Sequence, residues 1–440
     1  MPSNRYIWGI AYPIILSLLA QNMINVADTA FLGRVGEVEL GAAAIAGIFY
    51  IVLYMVGFGF SMGAQILMGR RNGEGNLKQV GNIMDHSLYF LLIIGIVMFV
   101  AIYFFAGQML RPFITSDAVY EASVVYLQYR VYGVFFAFFN VMSRAFFISI
   151  QRTRLLTVSA ALMATVNVIL NYLLIFGHWG FPAMGIAGAA IASAIAEGCS
   201  ALFFMIYFRF FSNRKQYALF RFPKVSFVVI RQTLDVSVFV MIQYLLSLGA
   251  WFLFFVIIEK MGERSLAVSN IVRSLYMILM IPVWAFSSTA NTLVTNAIGQ
   301  KKTNLVLPVL LKVTKLSFLS SVAMVLPMLM IPRLLISIYT NDASLVDDSI
   351  GSIYMIFGAT LMFSISQVFF SGVSGTGNTR DALIIESFAL AIYLIIIYMI
   401  VIQWSLPITV AWLCEHVYFL ILGSASWIYL RSGRWQGKKI

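Results

Sequence analysis

Charged residues are scarce in this sequence: they make up 10% of the 440 residues, whereas 61% are hydrophobic. A soluble protein does not need so many apolar side chains, because ordinary domains are only about half apolar. The mean hydropathy of +0.92 therefore predicts an all-α polytopic membrane protein. The apolar runs reach about twenty residues or more, which excludes the roughly ten-residue alternating strands of a membrane β-barrel.

Cysteine and histidine are also rare, with two and three copies. Cys199 and Cys414 both lie within apolar segments, so no disulfide framework is expected. His86, His178 and His416 are scattered without the spacing of metal ligands. No group of nucleophiles and bases gathers in the sequence, so we expect a protein that is not an enzyme and that needs no cofactor or metal.

The net charge of +12 would suggest a nucleic-acid partner in a soluble protein. Here the cations lie in short connectors between apolar segments, where they set the orientation of the chain in the membrane. We therefore expect no nucleic-acid partner.

Twelve apolar segments are long enough to cross a membrane as helices. They are predicted at 7–32, 42–69, 84–107, 122–150, 155–177, 184–210, 229–258, 267–296, 308–339, 346–373, 381–403 and 407–430. The two tails and the connectors after even-numbered spans hold 22 of the 29 Lys and Arg residues. Positive charge collects on the cytoplasmic side, so both termini are predicted to be cytoplasmic. The first apolar segment follows the N-terminus without a cleavage site of small residues, so we expect it to remain uncleaved.

The two halves of the chain resemble each other at a constant shift of 226 residues. The shift pairs Gly36-Glu37 with Gly262-Glu263, Tyr50 with Tyr276, Phe60-Ser61 with Phe286-Ser287, and Thr153-Arg154 with Thr379-Arg380. We predict a six-helix N-terminal lobe at 1–210, a cytoplasmic linker at 211–228 and a pseudo-symmetric six-helix C-terminal lobe at 229–440. Substrate sites in such architectures lie between the halves near the middle of the membrane.

Span 1 carries a polar face in its second half. Four residues at helical spacing form it: Gln21, Asn25, Asp28 and Thr29. A carboxylate at hydrocarbon depth costs roughly 2.5–3.5 kcal/mol on insertion scales, and it usually faces the protein interior or a water-filled cavity. Asp28 therefore belongs either to a polar seam between helices or to a proton or ion pathway, and we favour the pathway.

Polar residues in other spans are candidate partners of this carboxylate. Asn167 and Asn171 lie four residues apart on one face of span 5, and Ser193 follows a run of small residues in span 6. Buried amides of this kind either hold helices together or hydrogen-bond a carboxyl group. Pro13 removes one backbone hydrogen bond in span 1, so it marks either a hinge or a static kink.

The 226-residue shift relates the polar face of span 1 to an aromatic face of span 7, which contains Trp251, Phe254 and Phe255. This face either stacks on a flat or cationic ligand or packs against lipid and neighbouring helices. Trp284 in span 8 is a further candidate for a ligand contact.

Other charged side chains also lie at membrane depth. Glu197, Glu386 and Glu415 lack the polar company of Asp28, and Glu415 is the second choice for a titrating group. Arg130 and Arg273 are either counter-charges near the outer ends of their spans or side chains that snorkel to the interface, and we favour snorkelling.

Taken together, the chain resembles multidrug and toxic compound extrusion (MATE) transporters over essentially its whole length. The resemblance rests on the two six-span halves, on Pro13 and the segment Asp28-Thr-Ala-Phe-Leu-Gly-Arg34, and on Asn167 and Asn171 followed by Gly-Ile-Ala-Gly-Ala-Ala-Ile-Ala-Ser193. The chain is most similar to the DinF-type branch, in which the key carboxylate lies in the N-terminal lobe. The NorM-like branch also has an acid in span 7, where this chain reads Leu-Ser247-Leu-Gly-Ala-Trp251.

The resemblance implies antiport, in which a proton or Na⁺ enters while an organic cation or another amphipathic compound leaves. It makes Asp28 the coupling acid and Pro13 the bend in span 1. Its implied coupling-site partners are Asn25, Asn167, Asn171 and Ser193, and the expected substrate contacts are Gln21, Trp251, Phe254 and Trp284. Some relatives have a second aspartate at the position of Asn171, and the single carboxylate here favours a proton. We expect a lipid-embedded monomer in a bacterial inner membrane.

Four alternatives are weighed. The one outside transport, an integral-membrane enzyme, would need clustered catalytic residues, and no His, Cys or Ser nucleophile arrangement gathers on one side. A Na⁺-coupled antiporter of the same family differs only in the ion. A lipid-linked oligosaccharide flippase of the same superfamily would favour arginines in spans 1, 2, 7 and 8, where Arg273 stands alone. A major-facilitator carrier fits less well, because the loop Gly69-Arg-Arg-Asn-Gly-Glu-Gly75 lacks the Gly…Asp-Arg…Gly-Arg pattern.

Overall fold

The computed structural model describes residues 1–210 and 214–437. In that part of the chain the structure is 87% helical and contains no strand. Twelve helices are long and apolar enough to cross a membrane, which confirms the all-α fold and the predicted number of spans. Positions 211–213 of the predicted linker, and Lys438 and Lys439 of the charge count, lie outside the described residues.

The twelve helices keep the span numbers of the sequence analysis. In chain order they are Asn4–Gly33, Glu37–Gly73, Leu77–Phe113, Asp117–Ser149, Arg154–Phe176, Gly185–Phe210, Phe227–Glu259, Glu263–Gly299, Thr303–Met330, Ala343–Gly375, Thr379–Gln403 and Ile408–Arg431. Most begin earlier than predicted, because polar residues continue the helix beyond the apolar run. Side chains in the connectors cap the first turns of two of these helices. Asn76 accepts from the backbone N–H of Gln79 at 3.3 Å, and Asp342 accepts from that of Ser344 at 2.9 Å.

Span 9 is shorter than the predicted 308–339. The helix ends at Met330, and Pro332 starts a separate short helix, Pro332–Ser337. Proline lacks a backbone N–H and disfavours a helical conformation of the residue before it, which explains the break. The apolar pattern continues across the break and therefore did not reveal it.

The chain forms two compact units, which are described separately. The C-terminal unit contains Met1–Ile15, Gly73–Gly75 and Ile242–Ile440, and the N-terminal unit contains Leu16–Asn72 and Asn76–Met241. The borders of the units thus fall within spans 1 and 7. The division of the chain at residues 211–228 stays a prediction.

Glycines of span 2 allow a close helix contact in the N-terminal unit. A Cβ at Gly63 would lie 2.2 Å from Ser237 Oγ, and one at Gly59 would lie 2.8 Å from the Cα of Met241. Ser237 Oγ also donates to the backbone oxygen of Phe60 at 3.0 Å. Span 2 and the first half of span 7 therefore pack nearly backbone to backbone, as small residues permit in membrane helices.

Asp85 of span 3 holds the connector between spans 6 and 7. Its carboxylate accepts the backbone N–H groups of Phe220 and Arg221 at 3.0 Å and that of Phe222 at 3.2 Å. Phe220 and Phe222 have φ values of 54° and 45°, which are uncommon for residues other than glycine. The carboxylate thus stabilises a connector conformation that costs energy by itself.

Neighbouring side chains of span 3 extend this attachment. His86 Nε2 accepts the backbone N–H of Ser226 at 2.9 Å, so the ring proton lies on Nδ1, which donates to the backbone oxygen of Asn82 at 2.8 Å. Tyr89 donates its hydroxyl to the backbone oxygen of Pro223 at 3.1 Å. We call the contacts of Asp85, His86 and Tyr89 with this connector the span 3 clamp.

Outside the membrane spans, burial raises the pKa of the Tyr217 hydroxyl, which stays protonated.

The core of the C-terminal unit is rich in aromatic residues. Phe254, Tyr276 and Trp412 are all 0% exposed. The ring centroids of Phe254 and Trp412 lie 5.0 Å apart, and those of Tyr276 and Trp412 lie 6.2 Å apart, both edge to face. Such pairs contribute about 0.5–1.5 kcal/mol beyond the burial of their area.

The span 3 clamp predicts a stability loss for Asp85→Ala. Removing the carboxylate leaves three backbone N–H groups without their acceptor, and an unsatisfied buried donor costs about 1–3 kcal/mol. We expect a clearly lower thermal midpoint in detergent. Asp117→Ala is the matched control, because Asp117 forms only an exposed pair with Arg111 and its loss should change the midpoint little. Equal midpoints for the two variants would contradict the clamp.

Candidate functional site

Asp28 lies at the centre of a hydrogen-bonded cluster in the N-terminal unit. Asn171 Nδ2 donates to Asp28 Oδ1 at 2.5 Å, and Ser193 Oγ lies 3.5 Å from Asp28 Oδ2. Asn171 is 0% exposed and Ser193 is 7% exposed, whereas Asp28 itself is partly buried. Side chains from spans 1, 5 and 6 therefore meet at one carboxyl group.

Asn167 closes the cluster into a ring. It accepts from Asn171 Nδ2 through Oδ1 and donates to Ser193 Oγ through Nδ2, both at 3.1 Å. The four-residue spacing in span 5 places both amides on the same face, and small residues around Ser193 let span 6 approach. All partners of the carboxyl group in this ring are neutral. We call Asp28, Asn167, Asn171 and Ser193 the N-terminal cluster.

The other residues predicted on span 1 lie outside the ring. Asn25 is exposed, and its backbone oxygen accepts from the Thr29 hydroxyl at 2.9 Å. Gln21 is half-buried, and Pro13 lies inside the helix one turn before the border of the units. The assignment of Asn25 to the coupling site and that of Pro13 to a hinge stay predictions.

The predicted aromatic contacts differ in their exposure. Trp284 is 39% exposed and Trp251 is half-buried, so both have surface available to a ligand. Phe254 is 0% exposed and packs against Trp412 and Tyr393, with ring centroids 5.0 Å and 6.1 Å away. The structure therefore gives no support to Phe254 as a substrate contact, because other aromatic rings cover it.

A buried ion pair in the N-terminal unit was missed from the sequence. Arg130 is 9% exposed and forms two hydrogen bonds to Glu197, at 2.8 Å and 2.5 Å. Its guanidinium lies over the ring of Tyr50, 4.0 Å from the centroid. The interpretation that Arg130 snorkels to the interface was therefore wrong, and Glu197 does have polar company. A two-pronged contact with a carboxylate and a ring face is a geometry that arginine favours.

Hydroxyl and amide groups support the backbone beside this pair. Asn140 Nδ2 donates to the backbone oxygen of Glu197 at 2.9 Å, and its Oδ1 accepts from Ser200 at 3.2 Å. Ser159 and Ser200 hydroxyls lie 2.7 Å apart. Glu197 thus has a cationic partner, whereas the side-chain partners of Asp28 are neutral.

The family model MatE matches the chain in two stretches of equal length, residues 13–173 and 240–400. The chain belongs to the MatE family. This confirms the family inferred from the sequence, and membership points to a transporter family, not to an enzyme family. Two matches of the same length are consistent with the internal repeat. The DinF-type branch within the family stays a prediction.

Relatives of this MatE family member include several proteins described as probable multidrug resistance protein NorM. The one from Thermotoga maritima is 24% identical over 442 residues, which cover 98% of this chain and 93% of that protein. The one from Synechocystis is 26% identical over 299 residues, which cover 66% of this chain and 63% of that protein. The chain thus matches less than two thirds of the length of the Synechocystis relative.

Solved structures share the fold. A multidrug resistance MATE family transporter in an outward-facing conformation has a TM-score of 0.90 at 17% identity, covering 98% of this chain and 96% of that one. A MATE in complex with MaL6 has a TM-score of 0.90 at 18% identity, covering 97% and 95%.

The buried pair predicts a strong effect of Arg130→Gln on stability. The substitution leaves the carboxylate of Glu197 buried without its cation, which costs about 3–5 kcal/mol. We expect a much lower thermal midpoint and partial recovery in the double variant Arg130→Gln/Glu197→Gln. Arg264→Gln is the control, because its pair with Asp348 is about half exposed. A double variant less stable than Arg130→Gln would contradict this account.

Proposed function

We propose that this protein is a secondary active multidrug efflux antiporter that exports organic cations and amphipathic compounds in exchange for protons. Membership of the MatE family and relatives named multidrug resistance proteins support export of small molecules. The observation that carries the coupling is the N-terminal cluster: one carboxyl group on a membrane span, hydrogen-bonded only to neutral side chains.

The donor set of the cluster favours a proton over Na⁺. Burial without a cationic partner disfavours the charged form of a carboxyl group, and a proton removes that charge without needing further ligands. Asn171 Oδ1 is buried and has no hydrogen-bond partner among the described residues. It is an acceptor available to the O–H of a protonated Asp28. The second aspartate that some relatives have at this position, which would add charge for a metal cation, is absent here.

Proton binding drives the transport cycle in this proposal. A proton from the outside neutralises Asp28 and removes its attraction for water and for a cationic substrate. Neutralisation favours a conformation in which the substrate leaves outward, and Pro13 lets span 1 bend during this change. Release of the proton to the cytoplasm restores the charge and the affinity for substrate. Alternating access of this kind is typical of transporters built from repeats.

Substrates bind through aromatic and polar side chains in this proposal. Trp251 and Trp284 offer ring faces to flat or cationic compounds, and Gln21 adds a hydrogen-bonding group. The protein acts as a monomer in a bacterial inner membrane, with both termini in the cytoplasm. It uses no organic cofactor, because the ion gradient supplies the free energy.

The first experiment measures efflux of a fluorescent organic cation from proteoliposomes under a pH gradient or a Na⁺ gradient, each imposed alone. We expect the parent protein to respond to the pH gradient, and we expect Asp28→Asn to abolish the response because it cannot take up a proton. Asp117→Asn is the matched control, because it makes the same substitution at an exposed carboxylate of the N-terminal unit.

The outcomes of this experiment separate the alternatives. Efflux driven only by Na⁺ would keep the antiporter and replace the ion. Full activity of Asp28→Asn would show that the N-terminal cluster only holds helices together. Transfer of a lipid-linked oligosaccharide without any gradient, with no efflux of the cation, would favour a flippase.

A second prediction concerns Trp284. Replacing its partly exposed indole with the methyl group of Trp284→Ala removes a stacking contact of about 0.5–1 kcal/mol with a cationic substrate. The KM for the fluorescent cation should rise about two- to fivefold while kcat stays close to that of the parent. Trp404→Ala, which removes a 59% exposed tryptophan at the end of span 11, should leave KM unchanged. An unchanged KM in Trp284→Ala would remove this residue from the substrate contacts.

A further inference from the structure

The C-terminal unit contains two buried carboxyl groups that the proposed function does not use. Glu386 of span 11 and Glu415 of span 12 are each 4% exposed. Neither forms an ion pair with any of the described residues, in contrast to Glu197 in the other unit. Buried carboxyl groups without cations need another way to lose or balance their charge.

Glu415 is held by two tyrosine hydroxyls. Tyr276 of span 8 donates to Oε2 at 3.2 Å, and Tyr393 of span 11 donates to Oε1 at 3.1 Å. Both tyrosines are at most 3% exposed. The carboxyl group therefore has one neutral partner on each oxygen.

Glu386 is held less completely. Ser247 of span 7 and Tyr418 of span 12 both donate to its Oε1, the latter at 3.4 Å. Its Oε2 is buried and has no hydrogen-bond partner in the part of the chain that the structure describes. An orphaned oxygen of this kind in a native protein calls for a ligand, and a proton on Oε2 would remove its negative charge.

The two carboxyl groups are linked by a reciprocal arrangement of spans 11 and 12. Tyr393 lies on the span of Glu386 and binds Glu415, whereas Tyr418 lies on the span of Glu415 and binds Glu386. The rings of the two tyrosines lie 5.8 Å apart. A chain of hydrogen-bonded and packed side chains therefore joins the two carboxyl groups.

The other ionisable groups around the pair provide no cation for it. Span 7 contributes Tyr244, and span 8 contributes Tyr276 and Arg273, whose guanidinium lies over the ring of Phe255 at 5.0 Å. Span 12 adds Cys414, which is buried beside Glu415, and His416, which faces Gly358 of span 10. Span 10 has no ionisable side chain between Tyr354 and its end at Gly375.

The position of the pair in the repeat supports a binding role. The 226-residue shift takes Asn167 of the N-terminal cluster to Tyr393, and it takes Asp28 to Phe254. Phe254 and Tyr393 are also neighbours, with ring centroids 6.1 Å apart. The C-terminal unit thus has an aromatic ring where the other unit has its acid, and it carries acids on the neighbouring spans instead.

We propose that Glu386 and Glu415 form a second proton-binding site, in which the two carboxyl groups titrate as a coupled pair through Tyr393 and Tyr418. A proton fits the site better than a metal ion, because the serine and tyrosine hydroxyls around the two carboxyl groups direct their own protons toward the carboxyl oxygens. When two acids interact, their protons leave in two steps that belong to the pair. The binding site stands independently of Asp28, whereas its use in transport rests on the proton coupling proposed above.

The test is infrared difference spectroscopy of the full protein in lipid, which follows the C=O stretch of protonated carboxyl groups from about pH 6 upward, where exposed Asp and Glu are already ionised. The parent should show two titrating components in addition to that of Asp28. Glu386→Gln and Glu415→Gln should each remove one component and leave the other titrating in a single step. Tyr418→Phe should shift the band of Glu386 and Tyr393→Phe that of Glu415, because each removes one hydrogen bond and keeps the ring.

Two controls keep the result specific. Asp28→Asn should leave both components in place. Tyr398→Phe, at an exposed tyrosine of span 11, should change neither band. The phenylalanine variants preserve packing, so they report on the site even where a glutamine variant fails to fold. Spectra of both glutamine variants identical to the parent, or phenylalanine variants without any band shift, would overturn the proposal. Neither result would bear on Asp28, whose component is lost only in Asp28→Asn.

Discussion

The structure depends on the rule that a polar group within a membrane span must find its partners inside the protein. Asp28 and Glu197 satisfy this rule in opposite ways within one unit. Glu197 has a two-pronged arginine contact, which fixes its charge and favours a static role. Asp28 has amide and hydroxyl partners, which hold the carboxyl group in place without a direct ion pair. A carboxyl group of the second kind is the one that can exchange a proton.

The two units satisfy this rule with different side chains. In the N-terminal unit, amides on span 5 surround a single acid. In the C-terminal unit, tyrosines on spans 8, 11 and 12 surround two acids, and an aromatic core covers them. Amides both donate and accept, whereas a phenol keeps a large apolar body around one polar atom. The repeat has therefore kept its helices while the polar groups within it have diverged.

The sequence was sufficient for features that depend on local patterns. Apolar runs predicted all twelve spans, and helical spacing placed Asn167 and Asn171 on the face that meets Asp28. The Arg130–Glu197 pair escaped, because its members lie on spans 4 and 6 and no local pattern links residues 67 positions apart. The partners of Glu386 and Glu415 were not predicted for another reason. Tyrosine is counted among the hydrophobic residues, so the hydrogen-bonding capacity of its hydroxyl was overlooked. The burial of Phe254 was not predicted, because exposure depends on packing from several helices at once.

The span 3 clamp changes how the connector between spans 6 and 7 should be regarded. A polar stretch in the middle of a repeat protein invites use as a site for a tag, a reporter or a split between two expressed fragments. The backbone N–H groups of Phe220, Arg221 and Phe222 already bind Asp85, and that of Ser226 binds His86. An insertion there would interrupt a stretch that serves as a structural element of its unit. Exposed positions in other connectors, such as Ile338 and Tyr339 ahead of the Asp342 cap, offer engineers a safer place.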